Sequence, residues 1–307
     1  MLERISKHIE ELAAKSQAIA RQFIPSEAEQ QVRLGVQDPL CEDEYERTKG
    51  LIDKYENRVL CLLTAECAAY CRFCTRRRMV SDIERGRISE EDIDNWVKYI
   101  SDRPKITEVI LSGGDPLVVP VGLLKYALER LGAIPNVKVL RIGTRVPVTA
   151  PNLIDDSRIR VLSSVKQPLY IGIHFEHPDE LDEATINAVR RLRMAGAILY
   201  SQTVFLAEVN DDFETLYRLF TQLVEIGVTP YYIYRCDPVK GAEHFRVPFT
   251  KERQIMTELR KKLSGMACPT YVIDTPDGSG KIPVPLEFWD VDSDAYRDFE
   301  GHDHSVI

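Results

Sequence analysis

The chain has 307 residues, of which 44% are hydrophobic and 29% are charged, and its formal net charge is −8. This composition is that of a globular protein with a sizeable core. The negative charge argues against a general nucleic-acid binder, whose phosphate contacts need a basic surface. The sequence has no long apolar run of membrane-spanning length and no signal-peptide core. We therefore expect a cytoplasmic protein without a membrane or nucleic-acid partner.

The first fifty residues differ from the rest in their sequence pattern. Residues 4–23 place apolar side chains at helical spacing, and residues 26–50 are acidic with weak periodicity. We expect three regions: an N-terminal helical extension at 1–50, a main domain at 51–285 and a C-terminal tail at 286–307.

From residue 58 onward, strand and helix patterns alternate. A capping box at Ser89–Asp92 begins the first helix of this part. The other predicted helices are 123–131, 183–195, 213–226 and 250–263, and the predicted strands are 58–64, 108–111, 137–142, 169–175, 198–206, 231–234 and 271–273.

Repeated strand–helix units predict parallel strands joined by crossover helices. Their number falls short of the eight that a closed barrel needs. The sequence therefore predicts an α/β protein with a partial (βα)6-type barrel. In such folds the chemistry lies on loops at the carboxyl ends of the strands.

Three of the seven cysteines, Cys67, Cys71 and Cys74, form a CxxxCxxC loop directly after the first predicted strand. A structural zinc site normally has four ligands, and no fourth cysteine or histidine lies nearby. Three thiolates on a [4Fe–4S] cluster would leave one iron open to a small molecule. Three unligated core cysteines are the other alternative, but Tyr70 and Arg72 make the loop unlike a core segment.

Two glycine-rich segments follow predicted strands. Ser112-Gly113-Gly114-Asp115 follows the second strand, where glycines let a ligand approach the backbone, although such a run is also a common turn. Residues 274–281 form a loop ending in Lys281. A lysine there can form a Schiff base with an aldehyde cofactor, although most lysines beside glycine are exposed loop residues.

The CxxxCxxC loop resembles the signature of the radical S-adenosylmethionine (SAM) superfamily. The resemblance implies that Cys67, Cys71 and Cys74 hold a [4Fe–4S] cluster, that SAM binds the open iron, and that one electron cleaves SAM to a 5′-deoxyadenosyl radical. Ser112, Gly113, Gly114 and Asp115 resemble the superfamily's SAM-binding motif.

A wider pattern is similar to the lysine 2,3-aminomutase family, which also uses pyridoxal phosphate (PLP). It consists of five motifs in the family's order between about residues 50 and 285: CAAYCRFCTRRRM (67–79), LSGGD (111–115), HFEH (174–177), YYIYRCDPVKGAEHF (231–245) and PDGSGK (276–281). The resemblance implies a partial barrel of the radical SAM kind. It also implies a reaction in which an amino group migrates between neighbouring carbons.

The resemblance also implies roles for individual residues. Lys281 matches the lysine that carries PLP covalently, and Arg76 matches the arginine that pairs with the substrate carboxylate. Tyr55, Arg58 and Tyr234 match residues of the PLP site. His174 and Gln202 match positions near SAM. Asp237 and Asp274 match the two carboxylates that hold the side-chain ammonium of the substrate.

The aspartate pair bears on the substrate. Two carboxylates converging on one ammonium favour a basic amino acid and repel glutamate. We therefore expect L-lysine as substrate and β-lysine as product, with arginine, ornithine or a protein-bound lysine as alternatives. Family members that modify a protein-bound lysine do not keep both aspartates, which favours a free amino acid. Further expected partners are an external one-electron reductant and other copies of the chain in a homo-oligomer.

The chain departs from the best-known family members in one respect. Those members carry a cysteine-bearing C-terminal segment that binds zinc between subunits, whereas no cysteine follows Cys268 here. The sequence leaves two alternative hypotheses for the function. One is radical modification of a protein or RNA, and the other is a non-catalytic metal-binding module.

Overall fold

The computed structural model describes residues 2–31, 35–80, 82, 84, 86–276, 278–290 and 295–305. The N-terminal region contains two short helices, a brief helix and two strands: α1 (Lys7–Ala13), α2 (Gln17–Phe23), α3 (Glu42–Tyr45), β1 (Glu46–Thr48) and β2 (Leu51–Tyr55). The helical periodicity of residues 4–23 is thus divided between α1 and α2, because Ser16 caps a new helix through Ile19 N.

The main domain alternates strands and helices. In chain order it comprises β3 (Arg58–Thr64), α4 (Glu90–Ser101), β4 (Glu108–Gly113), α5 (Val121–Gly132), β5 (Val139–Thr144), α6 (Val146–Thr149), α7 (Asp156–Ser163), β6 (Leu169–His174), α8 (Glu183–Met194), β7 (Ile198–Val204), α9 (Phe213–Glu225), β8 (Thr229–Tyr234), α10 (Phe249–Lys262), β9 (Thr270–Asp274) and β10 (Lys281–Pro283). The last strands form a separate antiparallel sheet: β11 (Trp289–Asp290), β12 (Ala295–Arg297) and β13 (Asp303–Ser305).

The main sheet has ten strands in the order of the chain. Strands β3 to β9 are parallel, and each of β3 to β8 is followed by a helix before the next strand. The prediction of a partial (βα)6-type barrel is therefore confirmed. Strand β3 is not the first strand, however, since β1 and β2 extend that edge in antiparallel fashion and β10 extends the other. Among the described residues β1 and β10 do not pair, so the sheet stays open.

Burial alternates along the parallel strands. In β4 the residues Val109 and Leu111 are buried, whereas Glu108 and Ser112 are half-buried, and β5 and β7 repeat this pattern. Successive strand residues point to opposite faces of a sheet. Parallel strands covered on both faces lack this alternation, so the helices cover one face of this sheet and leave the other for a cavity.

Local sequence signals explain the helix boundaries. The capping box of α4 is present: Ser89 Oγ accepts from Asp92 N, and Asp92 Oδ2 accepts from Ser89 N. Helix α4 then buries Ile93 and Trp96 beneath the sheet. Helix α8 ends before Gly196, whose φ of 88° supplies the left-handed residue that the sequence predicted there.

Some predicted bounds were wrong at strand ends. The strands expected at 169–175 and 198–206 end at His174 and Val204. Phe175 and Phe205 are fully buried although they lie beyond the strands. Their apolar side chains made the predicted strands too long. None of the helices in the described part of the chain is long and apolar enough to cross a lipid bilayer.

We expect Phe220→Ala to lower the free energy of unfolding by about 3–5 kcal/mol, because Phe220 is fully buried where α9 packs on the sheet. Tyr217→Ala, on the exposed side of the same helix, should cost no more than about 1 kcal/mol. Urea titration of both variants measures the difference. Equal losses would contradict the assignment of the buried face.

Candidate active site on the inner face of the sheet

A cavity of about 600 Å³ lies along the uncovered face of the sheet. Its walls include every residue to which the sequence assigned a site role: Tyr55, Arg58, Cys67, Cys71, Cys74, Arg76, Ser112, Gly113, Gly114, Asp115, His174, Gln202, Tyr234, Asp237, Asp274 and Lys281. The structure therefore brings together residues that are spread over more than two hundred positions of the chain. Their individual roles stay predictions.

The cysteine loop follows β3 and is held by the N-terminal region. Tyr70 N donates to Arg4 O at 2.8 Å, and Arg72 N donates to Gln22 O at 2.7 Å. The Arg72 side chain is buried and pairs with Glu29 at 2.5 Å. The extension at residues 1–50 thus packs against the outside of this loop.

The three thiols are free and lie in one cavity. Burial raises the pKa of Cys74 to about 11, and the charge of Cys71 adds to this shift. Burial, Asp115 and the other two thiols likewise raise the pKa of Cys67. Thiolates here need a cationic partner, which iron would supply. Among the described residues no three acidic, cysteine or histidine side chains converge on a single-ion site, but three thiols that border one cavity are the donor type that an iron–sulfur cluster takes.

Two glycines at the end of β4 allow two chain segments to touch. A Cβ on Gly113, which has φ of 117°, would lie 2.3 Å from Thr64 O, and one on Gly114 would lie 2.1 Å from Glu66 O. The end of β4 therefore packs directly on the first residues of the cysteine loop. This close approach is a structural reason for the glycines, in addition to any role in binding SAM.

Asp115 lies in the cavity wall, but its carboxylate is used within the protein. Its oxygens accept from Thr144 Oγ1 at 2.7 Å, from Arg145 N at 2.6 Å, and from Leu117 N and Val146 N. Burial raises the pKa of Asp115, and these donors act against the rise. The carboxylate therefore fixes the end of β5 beside the cysteine loop.

Lys281 reaches the cavity from a hairpin. In the antiparallel pair of β9 and β10, Lys281 lies directly opposite Asp274, which explains the seven-residue spacing between them. Lys281 Nζ lies 2.8 Å from Asp274 Oδ1 and 5.5 Å from the centre of the Tyr234 ring. The Tyr234 hydroxyl accepts from Gln202 Nε2 at 2.9 Å. Asp277, within the hairpin loop, lies outside the described residues.

Asp237 and Asp274 form a negative region beside this lysine. Burial raises the pKa of Asp237 to about 7, and the charge of Asp274 is the next contribution. Lys281 and Lys54 act in the opposite direction. One additional cation near Asp237 would therefore favour its ionised form.

Arg76 is paired with Glu42, a partner that was not predicted from the sequence. Arg76 Nε lies 2.9 Å from Glu42 Oε2, and Nη2 lies 2.7 Å from Oε1, while Nη1 donates to Ser112 Oγ at 3.2 Å. Burial alone would raise the pKa of Glu42. The positive charges of Arg76, Arg78 and Lys54 outweigh this effect and lower its pKa below the ordinary value. The acidic run at 42–44 was the only available signal.

The base of the cavity contains further polar groups that the sequence did not single out. Arg141 lies 2.8 Å from both Glu108 Oε1 and the Tyr200 hydroxyl. Nearby, the Arg58 guanidinium stacks 3.9 Å from the centre of the Tyr55 ring. At the strands' other ends, His174 Nδ1 lies 3.6 Å from the buried Glu176. Period-two alternation within the strands was the signal that could have found Arg141.

Comparison with known proteins identifies a family and several similar sequences. Residues 61–220 match the Radical SAM superfamily. L-lysine 2,3-aminomutase of Acetoanaerobium sticklandii is 42% identical over 248 residues, which cover 81% of this chain and 59% of that protein. L-lysine 2,3-aminomutase of Clostridium subterminale is 39% identical over 92% of this chain and 68% of its own length.

Glutamate 2,3-aminomutase of Clostridioides difficile is 38% identical over 80% of this chain and 58% of its own length. The chain spans about three fifths of the length of the first such relatives. Among solved structures, a radical SAM methyltransferase from Sphaerobacter thermophilus superposes with a TM-score of 0.54 at 15% identity, over 73% of this chain and 68% of that one. This last likeness concerns the fold alone.

We expect Gly114→Ala to cost about 1–3 kcal/mol of stability, because the added methyl group would overlap the Glu66 backbone. Gly122→Ala provides the matched control, since a Cβ there meets no atom within 4 Å. In helix α5 that change should stabilise the protein by about 0.5–1 kcal/mol. Thermal unfolding measures both effects. A harmless Gly114→Ala variant would refute the close packing of the loop on β4.

Proposed function

Because the chain belongs to the radical SAM superfamily and, within it, to the lysine 2,3-aminomutase family, we propose that it interconverts L-lysine and β-lysine (3,6-diaminohexanoate). As an isomerase it would move the amino group between neighbouring carbons. The observation that carries this proposal is the arrangement of the cavity: Asp237 and Asp274 lie beside Lys281, and Arg76 lies near the cysteine loop.

The cavity has groups suited to three cofactors. Cys67, Cys71 and Cys74 would hold the [4Fe–4S] cluster. Gly113 and Gly114 would border SAM, and Lys281 would carry PLP. The cluster with SAM supplies a carbon-centred radical, and PLP supplies a conjugated ring that spreads an unpaired electron. The Tyr234 ring beneath Lys281 Nζ provides a flat apolar surface for such a ring.

Arg76 can bind a carboxylate while it stays paired with Glu42. A guanidinium has five N–H groups. In the described part of the chain, Glu42 and Ser112 accept from three of the five. One N–H on each terminal nitrogen remains for the α-carboxylate of an amino acid. A free amino acid offers this carboxylate, whereas a lysine within a protein chain does not.

The aspartates support a substrate with a cationic side chain. Sequence identity does not choose between lysine and glutamate, because relatives named for each are about equally similar. The charges support lysine, since a glutamate side chain would be repelled by Asp237 and Asp274. The ε-ammonium of lysine would instead pair with both. Because the pKa of Asp237 is about 7, protonation below this pH should weaken lysine binding.

The cofactor assignment predicts a covalent label on one lysine. Anaerobically purified protein should show absorption from both an iron–sulfur cluster and PLP. Borohydride reduction followed by digestion should place the pyridoxyl group on the peptide containing Lys281. Lys281→Ala should remove the label and keep the cluster, because Lys281 is not one of the three proposed cluster ligands. A cluster without PLP would favour radical modification of a macromolecule, and a label on another lysine would refute the role of Lys281.

The substrate assignment predicts a large effect of Asp237→Asn. Removing one partner of a desolvated ion pair typically costs about 2–5 kcal/mol, so lysine turnover at pH 8 should fall on the order of a hundredfold. Asp237 is the sharper choice because Asp274 also pairs with Lys281. Asp274→Asn should have an effect of similar size.

The assay measures β-lysine formation, with arginine, ornithine and glutamate as competing substrates. Asp156→Asn, at an exposed position on α7, is the control and should behave as wild type. In the wild type, the KM for lysine should rise as the pH falls below about 7, because protonated Asp237 no longer attracts the ammonium. Preference for glutamate, or turnover indifferent to both aspartates, would contradict the lysine assignment.

A further inference from the structure

Arg145 lies against a cysteine of the loop and has no part in the chemistry described above. It follows β5, and its side chain is 7% exposed. Arg145 Nη1 donates to Cys71 Sγ at 2.8 Å. Nη2 donates to Glu180 Oε1 at 3.0 Å and also to Gln22 Oε1. A buried cation is thus in direct contact with one of the three sulfur donors.

The guanidinium is held in place from several sides. Its central carbon lies 4.7 Å from the centre of the Phe23 ring and 5.3 Å from that of Phe73. Gln22 Nε2 also donates to Glu180 Oε1 at 3.0 Å, and Glu176 N donates to Glu180 Oε2 at the same distance. Helix α2 therefore contributes two of the side chains that fix Arg145 against Cys71.

We propose that Arg145 raises the reduction potential of the [4Fe–4S] cluster by donating a hydrogen bond, with its positive charge, to the sulfur of Cys71. One electron from an external one-electron donor converts the [4Fe–4S]²⁺ state to [4Fe–4S]⁺, and no bond is formed or broken in the protein. The reduced state carries one additional negative charge. Net charge and hydrogen bonds to the sulfurs are among the main determinants of such potentials.

The geometry favours a large effect of Arg145. Burial removes the water that would otherwise screen the interaction between the guanidinium and the sulfur. Glu180 and the nearby Glu176 offset part of the positive charge, but Glu180 is bonded to Nη2, while Nη1 is directed to Cys71. Arg145 is thus a positioning and tuning residue, and its effect reaches SAM only through the cluster.

The same contacts give the N-terminal extension a role in electron transfer. Gln22 and Phe23 lie on α2, far in sequence from the barrel strands, yet both contact Arg145. Loosening this helix should therefore change the potential even though the cysteines themselves are untouched.

An EPR-monitored redox titration of the reconstituted cluster, with dithionite as reductant, tests the proposal without PLP, lysine or turnover. Arg145→Gln should keep three cluster cysteines and full iron content. At a fixed potential its ratio of reduced to oxidised cluster should fall at least tenfold, which corresponds to 59 mV for a one-electron couple. Arg145→Lys, which keeps the charge and loses the planar fork, should show a smaller shift in the same direction.

Arg158→Gln is the matched control. Arg158 is also 7% exposed and donates to the carbonyls of Leu117 and Val119, but it does not contact a cluster cysteine. Its removal should lower stability and leave the midpoint potential unchanged.

Gln22→Ala keeps the proposal testable if Arg145→Gln does not assemble a cluster. It leaves Arg145 in place with one anchor fewer and should lower the potential by less than Arg145→Gln. A variant at Arg145 or Gln22 with full iron content and an unchanged midpoint would overturn the proposal. So would an equal shift in Arg158→Gln, since that would reflect general loosening of the fold.

Discussion

The fold depends on one asymmetry: helices cover only one face of the parallel sheet. Residues such as Val109 and Leu111 face that layer, whereas Glu108 and Ser112 on the same strand face the cavity. Burial of the apolar face stabilises the sheet. The other face can therefore carry charged and polar side chains, because these side chains do not have to pack against a helix. The cavity is the space that they enclose.

Charge within this cavity is paired locally rather than left to solvent. Arg76 has Glu42, Arg141 has Glu108, and Arg145 has Glu180. Beside Asp237 and Asp274 the nearby lysines do not offset the burial of Asp237 and its repulsion by Asp274, and the pKa of Asp237 is therefore raised. A cationic ligand completes this region, whereas an anionic one would worsen it. If the proposed function holds, selectivity for a basic amino acid follows from this incomplete compensation of charge.

The sequence predicted the barrel from local patterns, whereas most of the cavity residues were identified through the resemblance to the aminomutase family. Strand–helix alternation specifies parallel strands, and the cysteine and glycine motifs lie directly after strands. Glu42, Arg141 and Arg145 were missed for a different reason. Each acts through a partner distant in the chain, such as Arg145 through Cys71 and Gln22, and a single sequence does not reveal tertiary pairs. The edge strands β1, β2 and β10 were missed because they are short and partly exposed.

Lys281 lies on β10, the outermost strand of the sheet, and is placed by its register against Asp274. A shift of one residue in that hairpin would turn its side chain to the opposite face. The cysteine loop and β4 would be unaffected, since they belong to the other half of the sheet. Under the proposed function, a single insertion or deletion at this edge would separate the lysine that carries PLP from the cysteines that hold the cluster, so that the two activities can be gained or lost independently during evolution.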